Sequence, residues 1–184
     1  MIPLPWRPAL PLTTERLVLR VHESGDVDDM LVFHSDPEVV RYLPWPVRDR
    51  ALVEEALAKR LSQGTVEREG DWLVLAMELR ETGQVIGEVL LKVDSVEEHR
   101  AELGYAMNAE FHGRGLAREA AEAILSLGIH ELRLDRVIAH LDARNPASAR
   151  LLERLGFTLT RSYEEEFTGE LAPGLEYGLD VART

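Results

Sequence analysis

The stretch from Arg100 to Glu131 limits the possible folds more than any other part of the sequence. A strand-like run, Arg100 to Met107, passes through Phe111-His112-Gly113-Arg114-Gly115-Leu116-Ala117 into a helical pattern ending near Glu131, with Ala117, Ala120, Ala121, Ile124 and Leu125 on its buried side. The two glycines let the backbone turn tightly with its amide hydrogens facing one point. At a helix amino terminus the first N–H groups lack internal acceptors and the macrodipole is positive, so such a bend can seat a phosphate or diphosphate through main chain alone. Arg114 would add a charge-assisted contact, and the small Ala117 leaves room at the first turn. The spacing lacks the Gly-Lys-Ser/Thr ending of a P-loop, and the third glycine and acidic strand end of a dinucleotide fingerprint. A simple turn before a helix is the alternative for this loop taken alone.

Around this unit the sequence predicts alternating elements. Thr14 to Arg20 places apolar residues at every second position and reads as a first strand, preceded by a loose arm over residues 1–12. A helix starts near Ser24 and stops at Pro37, a short turn carries Val39 to Leu43, and Arg48 to Gln63 is amphipathic and ends at Gly64. Asp71 to Arg80 and Gln84 to Asp94 form a hairpin across Glu81-Thr82-Gly83. After the glycine loop and its helix come a strand from Arg136 to Ala143 and a helix from Pro146 to Leu155. Phe157 to Thr168 and Leu175 to Ala182 supply the closing strands. No repeat or low-complexity linker divides the chain, and its 184 residues suit one domain over 1–184. The class is α/β, in the α+β sense: a mixed, mostly antiparallel sheet of about seven strands flanked by about four helices, with a strand-helix-strand crossover between the fourth and fifth strands.

Composition narrows the chemistry. A net charge of −12 argues against a nucleic-acid partner, which needs a basic face, and weakly favours an amine-bearing acceptor. The chain has no cysteine, which excludes disulfides, thiolate metal sites and a catalytic thiol, so no metal is expected and any sulfur chemistry must arrive with a cofactor. The proline-broken start lacks the character of a secretion signal, and no run of about 18 apolar residues suggests a membrane span. The expected location is cytoplasmic.

His112 to Ala117 resembles the acyl-CoA diphosphate loop of the GNAT acetyltransferases, whose pattern is Gln/Arg-x-x-Gly-x-Gly/Ala, with His112 in place of the first residue. Asn145-Pro146-Ala147-Ser148 followed by Leu155-Gly156-Phe157 resembles the second signature of that family. Thr14 to Arg20 and Ser35 to Val39 extend the likeness to nearly the whole chain, toward the RimJ/RimL-like subgroup. The resemblance implies a GNAT sheet splayed between the fourth and fifth strands, with a β-bulge in the fourth, and acetyl-CoA as acyl donor. Its diphosphate would rest on His112, Gly113, Arg114, Gly115, Leu116 and Ala117. The backbone of Ala106, Met107 and Asn108 would line the pantetheine arm, with Asn145 and Ser148 contacting it from the other side. A homodimer is a further family-level expectation.

Acyl transfer from a thioester to an amine requires loss of a proton from the amine, stabilisation of an oxyanion and protonation of the departing thiolate. The implied oxyanion donor is a backbone N–H near Met107, and Ser148 is the candidate thiolate acid or water-orienting group. Many relatives carry a tyrosine acid four residues beyond that serine, where this sequence has Leu152. Glu102 and His140 are candidate bases, acting directly or through water. Their structural alternatives are a carboxylate paired with Arg100 or Arg136 and a hydrogen-bonded core histidine. Asn145 and Ser148 also suit helix capping. Tyr42, Trp45 and Trp72 are candidate walls of the acceptor pocket, and Glu164-Glu165-Glu166 a patch for a cationic acceptor or a solvated edge. Three functional readings remain open: acetyl transfer to a primary amine such as a protein N-terminus, transfer from another donor such as succinyl-CoA or to a small antibiotic or metabolite amine, and a non-catalytic acyl-CoA sensor.

Overall fold

The computed structural model describes residues 2–167 and 170–182. Alternating side chains form eight strands: β1 (Leu12–Thr13), β2 (Leu17–Arg20), β3 (Trp72–Leu79), β4 (Val85–Ser95), β5 (Arg100–Met107), β6 (Arg136–Asp142), β7 (Thr158–Phe167) and β8 (Glu170–Asp180). Five α-helices accompany them: α1 (Val27–His34), α2 (Pro37–Val40), α3 (Arg50–Arg60), α4 (Leu116–Leu132) and α5 (Pro146–Arg154). The strands join in one sheet ordered β1-β2-β3-β4-β5-β6-β8-β7. Only β5 and β6 run parallel, as a crossover through α4 requires. The two-residue β1 makes the fourth and fifth expected strands β5 and β6.

Each face of the sheet has its own cover. Ala101, Leu103 and Met107 of β5 and Val137, Ala139 and Leu141 of β6 share one apolar cluster with Leu116, Ala120 and Ile124 of α4 and Leu152 of α5. On the other face α1 and α3 interlock through Met30, Phe33, Val53 and Leu57, and α1 lies against β4. Asp49 caps α3 by accepting from Leu52 N–H at 3.0 Å, and Pro146 opens α5, where its missing N–H costs nothing.

Two expectations need correction. The stretch before β1 is not a loose arm. Ile2 and Trp6 are 3% and 5% exposed, Trp6 exchanges backbone bonds of 2.7 and 3.0 Å with Val66, and its indole Nε1 donates to Glu131 at 2.7 Å. Burying an indole with a satisfied N–H outweighs the disorder that the prolines suggest. The last strand also begins earlier than Leu175, because Pro173 belongs to it. Pro173 directs its carbonyl to Ala143 N–H at 2.7 Å, just past the end of β6, where the absent proline N–H interrupts no ladder. Among the described residues no helix is long and apolar enough to cross a membrane.

Between α1, α3 and β4 the fold buries a charged cluster. Glu88 of β4 is fully buried and accepts from Nε and Nη2 of Arg60 at 2.9 Å each. His22 stands 3.3 Å from Asp26 and 3.6 Å from Glu88, at ion-pair distance without hydrogen-bond alignment. Burial alone would raise the Glu88 pKa, but His22 and Arg60 outweigh it and hold the carboxyl well below the usual range. Burial likewise opposes charge on His22, yet Asp26 and Glu88 raise its pKa above the ordinary 6.5. His34 behaves oppositely: burial pushes it down to about 4, a shift that Glu88 opposes and that Arg48 and Arg60 reinforce.

These opposed shifts predict a stability maximum near pH 6.5. Between about pH 6.5 and 4.5 the unfolded chain takes up a proton that folded His34 refuses, so stability falls as pH drops. Above 6.5 the contribution of protonated His22, complete at lower pH, disappears as pH rises through its raised folded value. Urea denaturation across this range should show His34→Gln flattening the acid limb and His22→Gln shrinking the alkaline one. Identical profiles in wild type and both variants would refute the assignment. Glu88→Ala, which strands Arg60 and His22, should cost about 3 to 5 kcal/mol.

Candidate active site

The site begins where β5 and β6 part. They pair only at Arg100↔Arg136, Ala101↔Val137 and Glu102↔Ile138, although β5 continues to Met107 and β6 to Asp142. Asn108 N–H donates to Ile86 C=O at 2.8 Å, and alternate residues of an antiparallel pair bond to the same neighbour. Tyr105 and Met107 therefore turn their N–H and C=O groups away from β4, into the opening beside β6. The bulge expected in this strand is absent. β5 holds register with β4 from Ala101↔Val93 to Met107↔Gly87, and the irregularity falls between Val93 and Ser95. The departure of β6 alone exposes these amides. At Gly87 any Cβ would run into the Ala106 carbonyl oxygen, so glycine permits the close approach of β4 here.

The glycine loop follows directly. Gly113 and Gly115 have φ of 74° and 78°, in the left-handed region that glycine adopts without strain. The first helical bond runs from Glu119 N–H to Gly115 C=O at 3.1 Å, leaving Leu116, Ala117 and Arg118 N–H groups without acceptors inside the helix. His112 Nε2 donates to Met107 C=O at 2.9 Å, tying the loop to the end of β5. Arg16 braces the other side, donating to Arg114 C=O at 2.8 Å and to Glu119 at 2.7 Å. Its charge offsets a first-turn carboxylate that would otherwise repel an anion. The Arg114 guanidinium lies 5.0 Å over the Phe111 ring. Unpaired amides at the helix start and along β5, joined by a loop whose two glycines turn it, fit the diphosphate and arm of acyl-CoA.

Across the opening, α5 presents its first turn. Asn145 Oδ1 accepts from Ser148 N–H at 3.1 Å, so Asn145 is the helix cap. The Ser148 hydroxyl does not cap; it meets the phenol of Tyr105 at 2.6 Å. Tyr105 projects to the same face of β5 as Leu103 and Met107, and burial pushes its phenol up to about 12, a shift the bond to Ser148 partly opposes. Leu152, one turn beyond Ser148, is 1% exposed in the core.

On the opposite face Glu102, His140 and Glu176 form a row across β5, β6 and β8. His140 Nδ1 lies 3.1 Å from Glu102 and Nε2 3.6 Å from Glu176, while Lys92 reaches Glu102 at 3.4 Å. The bond to Glu102 raises the His140 pKa above its ordinary 6.5. Burial would raise Glu102, but His140 and Lys92 outweigh it and hold it ionised. Glu102 pairs with His140 and Lys92 rather than with Arg100 or Arg136, which pair with Asp94 and Asp180, and His140 is hydrogen-bonded but about one-third exposed. The adjoining open depression, which includes Arg100, Arg136 and Ile138, lies over the still-paired part of β5 and β6 rather than the opening itself.

The other expected residues are dispersed. Trp45 stacks on His34 at 5.8 Å beneath Arg48, which donates to His34 Nδ1 at 2.9 Å. Tyr42 lies under Arg41, and Trp72 under Lys92. Glu164 is exposed on β7, while the side chains of Glu165 and Glu166 lie outside the described residues. Sequence reasoning missed Tyr105 and Glu88. The parity of β5 puts Tyr105 on the face that α5 covers, but only the fold brings it to Ser148.

Residues 16–158 match the family described as acetyltransferase (GNAT) domain. The chain is 34% identical over 158 residues to the uncharacterized N-acetyltransferase p20 of Bacillus licheniformis, covering 84% of this chain and 87% of that protein. It is 27% identical over 155 residues to the ribosomal protein uS5-alanine N-acetyltransferase of Escherichia coli, covering 82% and 79%. A GNAT-family acetyltransferase from Bacillus anthracis has the same fold, with a TM-score of 0.81 at 23% identity over 93% of this chain and 98% of that one. The chain belongs to the GNAT family, in its RimJ/RimL-like branch, and is an N-acetyltransferase.

Proposed function

We propose that this N-acetyltransferase moves the acetyl group of acetyl-CoA to a primary amine, such as a protein N-terminal amine, by direct attack in a ternary complex. The observation that carries this reading is the placement of Ser148 on one face of the sheet and of Glu102 with His140 on the other, at the point where β5 and β6 part. A thioester lying in the opening would present its carbonyl oxygen to Met107 N–H. On the face of β5, β6 and β8, Glu102 orients His140 through Nδ1, and Nε2, 3.6 Å from Glu176, takes the amine's proton directly or through a water. On the α5 face, Ser148 protonates the departing sulfur. The likeness to the uS5-alanine enzyme favours a peptide amine as acceptor.

Thiol release tests this reading, with acetyl-CoA or succinyl-CoA offered to alanine-initiated peptides, polyamines and aminoglycosides. Release with acetyl-CoA and a peptide is expected. No calorimetric binding of CoA would remove the basis of the proposal, and CoA binding without turnover across the panel would favour a sensor. Ser148→Ala should lower kcat by about tenfold or more while CoA affinity stays within about twofold. Unchanged kcat would exclude Ser148 from the chemistry.

The base has its own pH signature. His140 accepts a proton only when neutral, so turnover should rise as pH increases through its raised value, above 6.5. Glu102→Gln removes the anion responsible for that raise and should move the rising limb to lower pH. A limb that stays in place in Glu102→Gln and persists in His140→Gln would assign the base elsewhere.

A further inference from the structure

The chemistry derived above asks a lone serine hydroxyl to hand a proton to sulfur, yet gives no part to the buried phenol touching it. Resting on the reading of Ser148 as the proton donor, we propose that Tyr105 is a positioning residue that aims the Ser148 hydroxyl at the departing thiol and replaces its proton. Three observations support this. First, the Oη–Oγ separation is 2.6 Å, and a phenol donating to Oγ leaves the serine's own hydrogen free to point elsewhere. Second, the serine is held from both walls of the opening, its N–H by Asn145 Oδ1 at 3.1 Å and its side chain by Tyr105 of β5. Rotation of an unheld hydroxyl would otherwise spoil the transfer geometry. Third, burial pushes the phenol up to about 12, so it keeps its proton throughout the working range and has one to donate to Oγ.

Leu152 explains why the phenol comes from the strand. Its position one turn after Ser148 points into the apolar cluster under α5 and offers no hydroxyl. Tyr105 reaches the same serine from the opposite wall. As the tetrahedral adduct collapses, the C–S bond breaks and its electron pair stays on sulfur. Sulfur takes the Ser148 Oγ proton while Oγ takes the Tyr105 Oη proton. The phenolate then recovers a proton from solvent, which has received the one lost by the amine. Overall, the C–S bond and one amine N–H bond break while a C–N bond and an S–H bond form.

The test compares wild type, Tyr105→Phe, Ser148→Ala and the double variant by thiol release from acetyl-CoA, with water as acceptor and with an alanine-initiated peptide. Tyr105→Phe should lower kcat about 10- to 100-fold while the KM for acetyl-CoA and the calorimetric affinity for CoA stay within about twofold. The double variant should be no slower than Ser148→Ala, because the two residues act as one unit. A fluorinated tyrosine at position 105, whose phenol ionises at lower pH, should bring into the working range an alkaline limb of falling turnover that the wild-type phenol, at about 12, keeps outside it, a change no mere strut would cause. Wild-type kcat in Tyr105→Phe, an equal fall in kcat and CoA affinity, or an unmoved pH limb each overturns the proposal. An active wild type with an unaffected Tyr105→Phe removes only this inference. A wild type that binds CoA but never releases thiol removes the enzymatic reading with it.

Discussion

The rest of the site depends on the loss of pairing between β5 and β6 after Glu102↔Ile138. Main-chain donors and acceptors in a protein interior need partners, and where a neighbouring strand withdraws, something else must supply them. β6 can withdraw because it stays paired with β8 along its whole length, from Arg136↔Asp180 to Asp142↔Gly174. β5 can stay because β4 continues beside it to Gly87↔Met107. The opening thus costs no ladder on its outer sides, and it leaves the Tyr105 and Met107 N–H groups facing the space between the two strands. Because α4 begins just beyond β5, with His112 bonded to Met107 C=O, its anion seat and the opening share one frame.

The face proposed to receive the amine has a stability problem of its own. Glu88 is the cross-strand partner of Ala106, and both side chains point to the face covered by α1 and α3. A buried carboxylate at this place needs cations around it, and Arg60 from α3 with protonated His22 provides them, while neutral His34 stands 3.9 Å away. The same histidine holds the loop after α2, since Trp45 stacks on His34 and Arg48 donates to it. The rim of the acceptor side is therefore fastened to the strand that backs the reacting centre. Electrostatic organisation and foldedness are coupled here through a few groups, and substitutions among them should not be read as purely catalytic or purely structural.

Much of this was legible in the sequence because local rules govern it. Gly113 and Gly115 announce a left-handed turn before a helix, Asn145-Pro146 announces a capped helix start, and period-two alternation places Glu102 and His140 on one face. What was not legible depends on contacts far apart in the chain. Trp6 looked like part of a disordered arm because its anchors, Val66 and Glu131, lie 60 and 125 residues away. Glu88 looked like one charge in an apolar strand, because its counter-charges arrive from separate elements. The bulge expected by family likeness was replaced by a divergence of strands, which no spacing in a single strand reveals. Tyr105 and Ser148 are 43 residues apart and meet only because the crossover through α4 and the start of α5 close over the opening.

The Leu152 position shows how a core constraint can relocate chemistry. A hydroxyl there would have to leave a cluster in which Leu152 is 1% exposed and packed with residues of β6 and α4. Burying an unpaired phenol in that cluster would cost the desolvation of its hydroxyl, so the apolar choice stabilises α5 against the sheet. On the proposed reading the proton-bearing group enters from β5, whose Tyr105 phenol meets Ser148 at 2.6 Å. Strand parity allows it at Tyr105 and not at Gly104 or Ala106, whose positions face the amine side. One packing decision on a helix thereby fixes which residue of a strand can serve the leaving sulfur.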